Sequence, residues 1–404
     1  MNKDFDEKIR PVAVADISSW LLFEKSEKKT YCIGSIERDK YIEAPEHLKD
    51  AIMCCIKHFD GSSSIEEIKT IVQEQYNYKI EVDELYNILC KANLIVNADA
   101  SMVEKQEFDI LSSAIFKMNL QKLYPFFNMV KKIVFPYGLY FTGIIIFLSI
   151  INVARYANIF LSPSTYKVQN SYLLSGVIAI FFTVVSLIIH ELSHAVTAYK
   201  YGLKPSKLFF STYMGFSLMV YLKIPGIYTL KPKQRVYVWL AGIYANLFLF
   251  SSCILLYSLV NWDIKNIFII AAIPNISFVL SNLSPLLPLD GYFVLSTLLK
   301  RPNLRKGSFQ EFKKWIFGEK NKFNGLVTLY FILSTLMMGT LVGTQAYWII
   351  VQIMEYYNSS QTLLQFFLNL KFIIAIIMVI LIKIIVSKLL EIRNRNAAIA
   401  EAKC

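Results

Sequence analysis

The chain has 404 residues, of which 55% are hydrophobic, and a formal net charge of +12. Its mean hydropathy is +0.44, and the apolar residues gather in long runs, which excludes an ordinary soluble enzyme with one large core. Many of the basic residues flank those runs, so the charge points to anionic lipid headgroups and an orientation signal, and no nucleic-acid partner is expected.

The six cysteines (Cys32, Cys54, Cys55, Cys90, Cys253 and Cys404) form no CxxC pair. They give neither a zinc ribbon nor a disulfide frame and are expected as reduced cytosolic thiols. Met1–Arg10 is charged with no apolar core behind it, so no signal peptide is expected.

Residues 1–113 predict a small cytosolic domain. A strand pair is expected over Thr30–Ser35 and Tyr41–Ala44, then a helix over His47–Phe59 and a turn at Asp60-Gly61. Ser64 and Glu67 have capping-box spacing for a helix over Ile65–Tyr76, and a last helix covers Val82–Ala92. This order is that of a winged-helix-like α+β domain. Ile115–Val130 mixes aromatics with Lys117 and Lys122, which predicts a helix lying in the interface, within a linker over 114–132.

From residue 133 the chain changes character. A spanning helix needs ~20 apolar residues. Six candidates follow: Ile133–Val153, Leu173–Tyr199, Val236–Val260, Ile267–Leu280 (continuing into the Pro-rich Asn282–Gly291), Leu326–Ile353 and Leu363–Leu390. Lys371 and Lys383 in the last are expected to snorkel. Pro205–Leu230 is apolar but interrupted by Gly215, Lys223, Pro225 and Gly226, which predicts a hairpin or re-entrant segment.

The expected fold class is therefore mainly α: a polytopic membrane protein with about six transmembrane helices over 133–390, the N-terminal domain before it and a basic tail over 391–404. Basic residues crowd the loops after the second and fourth spans, as in Lys200, Lys204, Lys207, Lys300, Arg301, Arg305 and Lys306, and also follow the sixth. The opposite loops carry few charges, so a multi-pass protein of the cell membrane with both termini cytosolic satisfies the positive-inside rule.

Two of the four histidines stand in His190-Glu191-Leu192-Ser193-His194. Positions i and i+4 share one helix face, so both imidazoles can reach one metal ion, with the adjacent Glu191 placed to take a proton from a water activated there. The motif follows Leu173–Ile189, which has no charged residue. Three ionisable groups at a membrane helix end need a compensating role. A catalytic zinc takes three protein ligands and keeps one position open. Asp290 is the candidate third ligand, being the sole acid between Ile267 and Leu299 and sitting where prolines break the helix, with Gly291 permitting close backbone approach. Asn246, an amide in the apolar segment Ala241–Asn246, serves either as a donor to substrate backbone or oxyanion, or as helix–helix glue.

Three elements in this order resemble the site-2 protease family of intramembrane zinc metalloproteases: His190-Glu191-x-x-His194, Gly242-x-x-x-Asn246, and Asn282 through Pro285 and Pro288 to Asp290-Gly291. The resemblance implies Zn2+ on His190, His194 and Asp290, Glu191 as the catalytic base, and Asn246 and Asn282 as substrate-binding. It also implies a strand that holds substrate extended, for which Pro205–Leu230 is the candidate. Ile243 stands where the family often has proline, Leu287 sits within the usual proline cluster, and the region between Tyr199 and Val236 is too short for the PDZ domain of many relatives.

The stretch from Gly291 to Arg305 looks like the peptide zinc metalloprotease subgroup, which is associated with bacterial modified-peptide production. Tyr41–Val96 is similar to PqqD-like peptide-chaperone domains, which implies a leader peptide bound by strand addition. The expected function is a metalloendopeptidase that matures or releases a ribosomally synthesised peptide such as a bacteriocin. The alternatives are regulated cleavage of a membrane-tethered regulator and a non-catalytic membrane immunity or export partner.

Overall fold

The computed structural model describes residues 9–99 except 26–27 and 77–80, residues 116–155, short stretches between 158 and 169, and residues 172–359 except 214–216, 262–264, 302 and 318–323. The sixth span candidate, 363–390, and the tail 391–404 lie outside the described residues, as do residues 100–115, the end of the predicted N-terminal domain and the first two residues of the linker. The chain divides into two compact units, one of residues 1–108, 119–208 and 222–302, the other of 109–118, 209–221 and 303–404.

The first unit opens with an antiparallel sheet of three strands rather than a pair: β1 (Ser18–Lys25), β2 (Lys28–Ser35) and β3 (Lys40–Pro45), in the order β1-β2-β3. The register of β1 on β2 shifts between Leu21 and Phe23, which leaves Leu22 opposite no partner residue in a β-bulge. Three helices follow: α1 (Glu46–His58), α2 (Ile65–Tyr76) and α3 (Val82–Lys91). The capping box is formed, with Glu67 N–H donating to Ser64 Oγ at 3.3 Å and Ser64 N–H donating to the Glu67 carboxylate at 2.7 Å. Gly61 turns the chain in the left-handed region at φ 85°, while Asp60 Oδ1 accepts from Ser62 N–H at 2.8 Å.

Ile52, Ile56, Ile68, Val72, Leu85 and Leu89 meet Ile33 and Ala44 of the sheet in one apolar core. Cys32, Cys54, Cys55 and Cys90 are buried and free. Burial pushes the Cys32 and Cys55 thiols up to about 12, so both stay protonated at neutral pH. Native protein at pH 8 should therefore leave both unmodified by iodoacetamide over a period that fully alkylates a free cysteine, as read by peptide mass spectrometry. Modification at the free-cysteine rate would show that the helix core around Cys55, or the cluster of Cys32 with Leu22 and Phe23, is open.

Where an interfacial helix was expected over Ile115–Val130, the chain instead forms β4 (Phe116–Asn119), a short 3-10 turn and α4 (Tyr124–Ile133). Strand pairing decided this: β4 adds to a hairpin of β5 (Lys207–Tyr213) and β6 (Ser217–Lys223) in the order β4-β5-β6, and backbone hydrogen bonds of a ladder outweigh an amphipathic pattern. The helical path widens at Val134–Gly138, around Pro136, before α5 (Leu139–Arg155).

The remaining helices are α6 (Tyr172–Lys200), α7 (Pro232–Leu259), α8 (Asn266–Leu283), α9 (Asp290–Leu298), α10 (Leu304–Ile316) and α11 (Gly325–Ser359). Three stretches are long and apolar enough to cross a membrane: Leu174–Lys200, Pro232–Leu259 and Asn266–Leu283. Leu139–Arg155 and the Gly325–Thr340 part of α11 are apolar but shorter, so among the described residues the structure supports three spans where six were expected. Pro232 starts α7 at a position where its missing N–H costs nothing, and Gln234 Oε1 accepts from Lys231 N–H at 3.1 Å. Pro274 sits inside α8, and α8 ends before Pro285.

Candidate metal centre

His190 lies 18 residues into α6, about 27 Å along a helix at 1.5 Å per residue, so the motif sits in the C-terminal part of the most apolar of the three candidate spans. The i, i+4 spacing puts the two imidazoles on one face with ring centroids 4.8 Å apart, and both residues are only 4% exposed. His190, Glu191 and His194 each offer a ligand atom within 4.8 Å of the others, a group that could hold a metal ion. Asp290, the first residue of α9, joins them: its Oδ2 stands 3.0 Å from His190 Nε2 and 3.3 Å from His194 Nε2.

The tautomer of both rings is set from behind. The Ala271 carbonyl accepts from Asn275 Nδ2 at 2.9 Å, and Asn275 Oδ1 accepts from Asn246 Nδ2 at 2.8 Å. Asn246 Oδ1 is thereby left as the acceptor for His190 Nδ1. A backbone carbonyl can only accept, so the direction of the whole relay follows and His190 carries its proton on Nδ1. His194 Nδ1 donates likewise to the Val238 carbonyl at 2.6 Å. In the neutral rings each Nε2 then presents a lone pair.

Two lone pairs and a carboxylate oxygen thus converge on one point. With both rings neutral, the buried Asp290 Oδ2 has no hydrogen donor among the described residues, so a shared cation or proton is needed where the three atoms face one another. Ligands ~2.0–2.1 Å from a tetrahedral ion stand about 3.3 Å from one another, close to the 3.0 and 3.3 Å from Asp290 Oδ2 to the two rings. The space is kept open by Gly242 of α7: a Cβ there would lie 2.5 Å from His190 Nε2 and 2.6 Å from His194 Nε2. The residues present therefore fit a metal ion.

Asp290 reaches the histidines because α9 begins immediately beside the end of α8. A Cβ on Gly291 would come within 2.7–2.8 Å of the carbonyls of Asn282, Leu283 and Ser284, so only glycine allows this approach. Trp239 of α7 stacks on Phe293 of α9 with ring centroids 4.8 Å apart, packing the two helices together. The Glu191 carboxylate accepts from the backbone N–H of Leu222, which orients it.

The structure thus brings together His190, Glu191, His194 and Asp290. Asn246 is fully buried with its amide engaged at both ends, which fits a residue that orients His190 and not one that faces substrate. Asn282 turns its amide back to the Phe278 carbonyl of its own helix at 3.0 Å. Asn275 was missed from the sequence, although an amide directly after Pro274 in an apolar helix was a signal that could have found it. Against known proteins, no family model, no curated protein and no solved structure matches this chain, and the site is read from its own geometry.

Proposed function

We propose that this protein is a membrane zinc metalloendopeptidase whose site is His190, His194 and Asp290 as ligands and Glu191 as general base. The observation that supports it best is the convergence of two tautomer-fixed imidazoles and an otherwise partnerless carboxylate at 3.0–3.3 Å. Three such ligands are the set of a catalytic zinc with one open position. Zinc held there would supply Lewis acidity, lowering the pKa of a coordinated water toward ~7 and polarising a peptide carbonyl.

The chain's own residues do the rest. Glu191, held by the Leu222 N–H, takes the proton of the attacking water and passes it to the leaving amine. Asn246 and the Val238 carbonyl keep the two rings turned to the ion. The apolar walls of α6, α7 and α8 keep bulk water away from the charges.

The substrate class in this reading is a small ribosomally made peptide. The N-terminal sheet would recruit its leader by strand addition and raise its effective concentration at the membrane. Six spans with both termini cytosolic, in the cell membrane, belong to the same reading. Cleavage of a membrane-tethered regulator would use the same residues.

Purified protein should carry about one zinc per chain. His190→Ala and Asp290→Ala should each lose it together with cleavage of a leader-bearing peptide. Full zinc occupancy in both variants would overturn the ligand assignment, and zinc occupancy without any peptide cleavage would reduce the site to a structural one.

A further inference from the structure

The N-terminal domain and the helices of the metal centre belong to the same compact unit, and the contact between them is built around a buried arginine. Arg235, in the first turn of α7, is 1% exposed. Its Nη2 donates to the Leu22 carbonyl at 2.6 Å, and its guanidinium lies 4.7 Å from the centre of the Phe23 ring and 6.0 Å from that of Tyr228. No carboxylate pairs with it and its Nε has no partner among the described residues. A cation buried without a counter-charge is a poor way to gain stability, so its use calls for another reason.

The bulge in β1 supplies that reason locally. Leu22 is the residue left without an opposite number, and its carbonyl meets Arg235. Two residues further, the Glu24 carbonyl accepts from Lys300 Nζ. Lys300 ends the segment that follows α9, where a left-handed backbone (φ 54°) turns it out of the helix. Asp39, at the turn between β2 and β3, adds a third contact by accepting from the Gly226 N–H at 3.2 Å.

One strand of the N-terminal domain therefore holds both helices that complete the site. Along α7, Arg235 is followed by Val238, whose carbonyl orients His194, then by Gly242 under both rings and Asn246 behind His190. Along α9, Lys300 lies at the far end from Asp290.

We infer that the β1 bulge is a clasp that sets α7 and α9 against the histidines of α6, so that the N-terminal domain is a positioning part of the metal centre and Arg235 its central positioning residue. The inference rests on the metal-site reading. It differs from recruitment alone, under which the domain would change how substrate arrives and leave metal affinity untouched.

The test uses the full chain in detergent micelles with two readouts. The first is hydrogen–deuterium exchange of metal-free protein over 231–246. The second is cobalt(II) binding, followed through the visible spectrum of the tetrahedral ion. Arg235→Met should raise exchange in the first turns of α7 and weaken cobalt about tenfold with an altered spectrum, the size seen when groups behind metal ligands are lost. Arg235→Lys, which keeps one donor for Leu22, should recover most of the affinity. Lys300→Ala should weaken cobalt from the α9 side, and Lys69→Ala on α2 should match wild type in both readouts. Wild-type exchange and wild-type cobalt affinity in both Arg235→Met and Lys300→Ala would overturn the clasp. Wild-type protein that takes up no cobalt would overturn the metal-site reading instead, and the exchange comparison would still decide whether β1 holds α7.

Discussion

Gly242→Ala should abolish metal binding at the proposed site while leaving every candidate ligand in place. The added methyl would stand 2.5 Å from His190 Cε1 and Nε2 and 2.6 Å from His194 Nε2, closer than any carbon can settle. The obstacle sits on helix backbone, so the rings must turn away. Turning them breaks the bonds from His190 to Asn246 and from His194 to the Val238 carbonyl that aim both Nε2 atoms. Zinc affinity should fall by at least about 100-fold, the upper end of what losing a group behind one ligand causes, because both candidate ligand nitrogens move at once. Alanine is the better helix former by roughly 1 kcal/mol, so helix α7 itself is not weakened. The measurement is zinc per chain after dialysis against a weak chelator, alongside circular dichroism. A Gly242→Ala protein with one zinc per chain would show that the ion, if any, binds elsewhere.

Glu191→Gln should separate binding from turnover. The amide keeps the size of the carboxylate and an oxygen for the Leu222 N–H, so the local structure has no cause to change. It cannot take a proton. Zinc content should stay near one per chain while cleavage falls by roughly 10²–10⁴, the usual contribution of a positioned general base. Cleavage within a few-fold of wild type would remove Glu191 from the mechanism. A non-catalytic membrane partner would keep its biological effect in this variant, whereas a protease would lose it.

The local features were legible from the chain. A spacing of four places two side chains on one helix face in any setting, so His190 and His194 needed no tertiary information. Ser64 and Glu67 announced the start of α2 in the same way. Asp290 stood out because an acid among apolar residues and prolines has few other reasons to exist. Strand β1 was hidden because Trp20-Leu21-Leu22-Phe23 is an unbroken apolar run. The bulge at Leu22 breaks the period of two by which a strand is recognised. The segment 115–130 misled because aromatics mixed with lysines suit an interfacial helix, and only the β5 edge reveals where β4 belongs.

By itself the sequence determined the apolar helices, the histidine pair with its adjacent acid, and the distant aspartate that could join them. Those follow from periodicity, length and the cost of placing charge among apolar residues, all of which act over a few turns of chain. The tertiary structure alone decided which amide faces which ring, that Asn275 begins the relay, that Gly242 leaves space beside both rings, and that Arg235 pairs with β1. These are pairings between residues 29 to 213 positions apart, and the hydrogen-bond direction and close packing that select them exist only once the helices have met.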